Sequence, residues 1–178
     1  MPKILDDMNI KILEEAKKQV FEKGYQHMTI RSVAFACGIG VGTIYNYYAS
    51  KEALIAAFIL ADWVPLYEEL RRKCNACGSL IQACHIIYEG LLCFQDDYKV
   101  LFHHTEAIKT ASEKMPTQHP MLRKQLAGLL LKTSNQVSKY KEQDKEFLPE
   151  FISEILLSWS TEEKSFSQIE PYLKAMIY

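Results

Sequence analysis

The segment Thr29–Leu54 (TIRSVAFACGIGVGTIYNYYASKEAL) restricts what this chain can fold into more than any other part of it. Ile30, Val33, Ala34 and Ala36 place small and medium apolar side chains at helical spacing. Cys37-Gly38 ends that helix, because glycine accepts the left-handed conformation of a tight helix exit. A second, short helix is predicted from about Val41 to Tyr47. It has few apolar residues, and its surface carries Thr43, Tyr45, Asn46 and Tyr47. Such a helix gains little from a core of its own. It makes sense when that face meets something else, and the DNA major groove admits one helix. Gly42 leaves the backbone bare for a close approach to phosphate. Ser50-Lys51-Glu52 reads as an N-cap and the first turn of a third helix. That would set the Lys51 ammonium beside free backbone N–H groups, a local anion site. The plain alternative is a helical hairpin with a surface tyrosine cluster.

The flanking residues extend the pattern. Ile12–Tyr25 reads ILEEAKKQVFEKGY, a helix of the form Ile-Leu-x-x-Ala-x-x-x-Phe-x-x-x-Gly-Tyr. Thr29-Ile30-Arg31 follows, then Gly38, Ile39, Gly42, Thr43, Ile44, Tyr45, Tyr48, Lys51, Glu52 and Leu54 at fixed spacing. Over Ile12–Leu54, about a quarter of the chain, this resembles the N-terminal DNA-binding domain of the TetR family of bacterial transcriptional regulators. The remainder resembles that family only in being helical.

The expected architecture is therefore all-α. A three-helix helix-turn-helix domain over residues 1–50 precedes a helical-bundle domain for effector binding and dimerisation over residues 51–178. The length of 178 residues accommodates a small domain joined to a larger one. The net charge of −1 argues against indiscriminate nucleic-acid binding. A sequence-specific reader needs only a local basic footprint, and through Lys51 there are seven basic residues against five acidic ones.

Asp6 and Asp7 interrupt the opening residues, so no secretory signal is expected. No stretch has the uninterrupted apolar length of a membrane span, and the expected location is the cytoplasm. Five cysteines, an odd number, suit a reducing compartment. Cys74 and Cys77 have the spacing of a redox pair or half a zinc site, with Cys84 and His85 following. No second ligand pair stands at zinc spacing, so structural or tolerated thiols are the simpler reading. His103 and Glu106 share a helix face but lack a third ligand. No metal or other cofactor is expected. An enzyme is excluded by chemistry: there is no nucleophile–base spacing, no glycine-rich phosphate loop and no ligand cluster.

Beyond Leu54 the apolar spacing predicts successive helices. One runs from about Lys51 to Lys73, bent or divided at Pro65. The next, about Ser79–Gln95, is apolar on nearly every side and belongs in the middle of a helical domain. Further helices are expected over about Tyr98–Ser112, from Pro120 to about Lys141, from Pro149 to about Ser160, and over Ser165–Ile177. A charged connector is expected over Lys139–Glu146.

Sites follow from this arrangement. On the DNA side, Arg31 is placed to reach a guanine edge, Asn46 to pair with adenine, and Tyr45 to touch base or phosphate. Thr29, Thr43, Tyr47 and Lys51 read as phosphate anchors, which set register without carrying sequence information. Val41 stands where many TetR relatives are polar or basic, and can meet a thymine methyl; Ala49 is a second such departure. Tyr48 stands where the resemblance puts phenylalanine, and is expected in the core. For a small apolar or aromatic effector, the middle helices offer Trp63, Tyr67, His85, Tyr88 and Phe94, then Phe102, His103, Met121, Leu122 and Leu126. At helical spacing any of these can equally be plain core.

The last two helices carry broad apolar faces: Phe151, Ile152, Ile155, Leu156 and Trp159, then Phe166, Ile169, Tyr172, Leu173, Met176 and Ile177. One recognition helix reads too few base pairs, so a homodimer on a palindromic double-stranded operator is expected, the plain alternative being that these faces complete the monomer's own core. The TetR resemblance implies pairing through these two helices, and repression relieved by a ligand. An adaptor for protein partners and a thiol-sensing regulator are the alternatives on the same fold.

Overall fold

The computed structural model describes residues 2–102, 118–134, 144–162 and 164–178, and every regular element in them is helical. The helices are α1 (Pro2–Lys23), α2 (Ile30–Cys37), α3 (Val41–Tyr47), α4 (Lys51–Ala76), α5 (Leu80–Asp97), α6 (Lys99–Phe102), α7 (Gln118–Ser134), α8 (Asp144–Ser160) and α9 (Phe166–Ile177). They form two compact units. One comprises residues 2–64 with 98–102, and the other residues 65–97 with the described residues from 118 onward.

In the N-terminal unit, one apolar stripe of α1 (Ile12, Ala16 and Val20) is wholly buried with Met28, Val33 and Ile44. Apolar burial of this kind supplies most of the stability that such short helices lack by themselves. Thr29 caps α2 reciprocally: its hydroxyl accepts from the Ser32 N–H at 3.0 Å, and the Ser32 hydroxyl accepts from the Thr29 N–H at 3.1 Å. The Ser32 hydroxyl also donates to Oε1 of Gln19, a buried amide on α1. Gly38 closes α2 with φ of 71°, the left-handed exit its sequence predicts.

The sequence predicts a domain limit at residue 50. The contacts instead place the first half of α4 in the N-terminal unit, because Leu54, Ile55 and Phe58 are buried. The units divide at Pro65, yet α4 is helical straight through it.

In the C-terminal unit α5 packs against α7, α8 and α9, which bears out its expected central place. Its buried residues are Leu80, Ala83, Cys84, Ile87, Tyr88 and Leu91. Leu70 of α4 lies so close to Gly90 of α5 that a Cβ there would stand 2.7 Å from a Leu70 methyl. Two boundaries differ from expectation. Helix α8 begins at Asp144, so Pro149 lies inside it and not at its start, and the end of the expected charged connector is already helical. Pro120 sits in the first turn of α7, a position that needs no N–H partner. The continuation of the helix expected to Ser112, and that of α7 to Lys141, lie outside the described residues. No described helix is long and apolar enough to cross a membrane.

Candidate nucleic-acid interface

Helix α3 is anchored through one residue. Ile44 is fully buried, while Gly42, Tyr45 and Asn46 are exposed and Val41, Thr43 and Tyr47 are half-buried. A helix this short holds its place by that anchor and its neighbours, and leaves a polar, planar face outward. A Cβ on Gly42 would meet nothing within 4 Å, and no positive φ requires glycine there. The fold itself therefore gives no reason for glycine, which costs up to about 1 kcal/mol relative to alanine inside a helix. Arg31, on the first turn of α2, is exposed. Thr29 is exposed as well, with its hydroxyl already accepting in the cap.

Two of the residues behave differently from expectation. Lys51 does not stand free at the start of α4. Its ammonium donates to the Tyr25 carbonyl at 2.5 Å and lies 4.0 Å from the centre of the Tyr25 ring. Burial lowers its pKa below the usual lysine value, with the Glu52 carboxylate pulling the other way. The Tyr25 hydroxyl in turn donates to Glu52 at 3.4 Å, and burial with the Glu52 charge raises the phenol pKa. The cap of α4 is as expected, with Ser50 Oγ accepting from the Ala53 N–H at 3.1 Å. Tyr48 is not wholly core: it is half-buried, and its hydroxyl donates to Asn9 Oδ1 on α1. Sequence reasoning had no signal for either tie, because each joins residues 26 or 39 positions apart. It also passed over Phe35, which is 87% exposed on α2, one turn beyond Arg31. The helical spacing from Arg31 was the available clue.

These features belong to a helix-turn-helix, and residues 12–58 match the family model described as bacterial regulatory proteins, tetR family. Over that segment the chain is similar to the TetR family. Its N-terminal segment is similar to the HTH-type transcriptional regulator UidR of Escherichia coli, at 38% identity over 52 residues, covering 29% of this chain and 26% of UidR. The chain thus spans about a quarter of the length of that curated relative. Among solved structures, it is similar to Thermus thermophilus FadR, a TetR-family repressor in complex with lauroyl-CoA. The TM-score is 0.64 at 18% identity, covering 95% of this chain and 92% of that one. Bacillus subtilis FadR in complex with stearoyl-CoA gives 0.56 at 14% identity, over 94% and 96% of the two chains. Identities this low show the fold alone: a helical C-terminal domain follows the helix-turn-helix.

The expected effector residues scatter. In the C-terminal unit Tyr88 is fully buried and donates to the Lys164 carbonyl at 2.9 Å, and Leu126 is fully buried. His85 lies on the outer side of α5, stacked on Phe166 at 4.2 Å and 3.6 Å from Glu89. Tyr67, Phe94 and Leu122 are half-buried, and Met121 is 38% exposed. Trp63 is buried in the N-terminal unit. The Phe102 side chain, His103 and Glu106 lie outside the described residues.

The two terminal helices divide the expected dimer residues. Ile152, Leu156, Phe166, Ile169 and Leu173 are buried in the core of their own unit, as is Ile177. A helix with a broad apolar face commits one side to its own core and leaves the other outward. Phe151 (45% exposed), Ile155, Trp159, Tyr172 (65%) and Met176 are on the outward side. Phe147, 66% exposed, stacks on Phe151 at 5.9 Å and joins that surface. Trp159 meets Tyr172 edge-on at 6.1 Å.

Proposed function

We propose that this chain is a DNA-binding transcriptional regulator, acting as a homodimer on a palindromic operator and released from it by a small apolar effector. The observation that carries the reading is the α3 surface. Tyr45 and Asn46 stand outward beside a glycine whose absent side chain the fold does not require. Asn46 offers the bidentate pairing that adenine accepts, Arg31 the one that guanine accepts, and Tyr45 reaches base or phosphate. Thr29, Thr43 and Tyr47 flank them as phosphate contacts, and Val41 faces a thymine methyl.

Dimerisation through the outward residues of α8 and α9 sets two copies of α3 about one DNA turn apart, roughly 34–36 Å. Aromatic residues exposed this densely on two neighbouring helices support that role. An effector acts by preferring one separation of the two recognition helices over the other. Two FadR proteins of similar fold are described as bound to lauroyl-CoA and stearoyl-CoA. Long-chain acyl-CoA thioesters are accordingly the first compounds to titrate.

Fluorescence anisotropy on duplex DNA from upstream of its own gene, across a salt series, tests the reading. Symmetric binding with two protomers per site, lost in Tyr45→Ala, is the expected result. Binding no tighter than to scrambled DNA in every upstream fragment sinks it.

A further inference from the structure

The exit of α3 and the start of α4 are tied to the rest of the N-terminal unit at two points, one on each side of the junction. Before it, the Tyr48 hydroxyl donates to Asn9 on α1. After it, Lys51 donates to the Tyr25 carbonyl and covers the Tyr25 ring, while Tyr25 reaches Glu52. Only Ala49 and Ser50 lie between the two ties, so together they fix the direction in which α3 leaves its anchor at Ile44.

The Lys51 side chain is tied within the fold. An ammonium has three donors; one is held by a carbonyl, and the aromatic face takes a share of the charge. Base contacts tolerate misplacement far less than phosphate contacts, because bidentate pairing requires position and angle together.

We propose that Lys51 and Tyr48 are positioning residues that set the recognition helix for base reading, and that Lys51 is not a phosphate contact. The inference rests on the DNA-binding reading above, and it assigns specificity to two residues that touch no base. It separates two behaviours a phosphate contact would merge. Loss of a phosphate contact weakens all sequences alike and lowers the salt slope by about one. Loss of a positioning tie weakens the correct sequence most and leaves the slope unchanged.

The test uses the full chain, a duplex selected by the wild-type protein from a random library, and a scrambled duplex of equal length. Each is titrated across a potassium chloride series, with circular dichroism confirming that every variant is folded at the assay temperature. Lys51→Met and Tyr48→Phe are expected to lose about tenfold on the selected duplex, or about 1.4 kcal/mol. They should lose much less on the scrambled duplex, at wild-type salt slope. Lys51→Arg, which keeps both the hydrogen bond and the ring contact, should restore most of the discrimination. Tyr48→Phe removes a single oxygen and keeps the test alive should Lys51→Met fail to fold. A salt slope reduced by about one, with both duplexes weakened equally, overturns the assignment of Lys51. Wild-type discrimination in Tyr48→Phe overturns the two-point tie. Failure of the wild-type protein to select any duplex is a separate result, and it overturns the DNA-binding reading itself.

Discussion

The Tyr98 hydroxyl donates to Asp62 Oδ2, the same oxygen that the Lys17 ammonium reaches at 2.5 Å. Helices α1 and α4 meet there with the turn residue between α5 and α6. Tyr98 is 2% exposed, with its ring edge-on to Phe21 at 5.7 Å and stacked on Phe58 at 6.4 Å. Residues directly after α5 are thereby built into the N-terminal core. Tyr98→Phe keeps the packing and loses the hydrogen bond, so it should cost about 1–2 kcal/mol. Tyr98→Ala should cost about 3–5 kcal/mol, since it also leaves a cavity. Urea denaturation reads both, and a Tyr98→Phe midpoint equal to wild type would deny the phenol any role in joining these elements.

Gly42→Ala separates folding from DNA binding. The site is open and its backbone helical, so alanine should stabilise the unit by about 0.4–1 kcal/mol. The same methyl group should weaken operator binding at least several-fold by holding the backbone off the phosphate. Thermal melting and anisotropy on one preparation check the two signs together; unchanged affinity would remove Gly42 from the interface.

Neighbouring residues on α8 should respond in opposite ways to a charge. Phe151→Glu falls on the outward side and should yield a folded monomer. Ile152→Glu falls in the core at 0% exposure and should abolish folding. Light scattering with circular dichroism distinguishes the outcomes, and a Phe151→Glu protein that remains dimeric moves the interface elsewhere.

Thiol chemistry should divide by burial. Cys74 and Cys84 are buried, and desolvation pushes each thiol up to about 12. At neutral pH they are protonated and poor nucleophiles, while Cys93 is exposed. Timed alkylation with mass spectrometry should label Cys93 first, and Cys74 and Cys84 only on unfolding. Rapid labelling of Cys74 in the native protein would revive a thiol-sensing function. The folded-state values lie above the unfolded ones, so the native state retains protons that the unfolded state releases. That contribution to stability is complete below the ordinary thiol range and declines as pH rises towards about 12. Cys74→Ala with Cys84→Ala should flatten the alkaline loss.

What the sequence determined by itself was local. Apolar spacing, the Gly38 exit, the Ser50 cap and the Tyr45–Asn46 face are set by residues within a turn or two of one another. Those interactions form wherever the chain folds, which is why the helix-turn-helix and most helices beyond it were legible. Tertiary structure decided whatever depends on partners distant in sequence. It folded Lys51 onto Tyr25, tied Tyr48 to Asn9 and drew Tyr98 to Asp62. It also split α8 and α9, sending Ile152 and Leu156 inward and leaving Phe151 and Trp159 outward. A hydrophobic stripe shows that a helix has something to bury. Only packing decides which part of the stripe its own core covers, because burial depends on the position of the neighbouring helices and not on the residue alone.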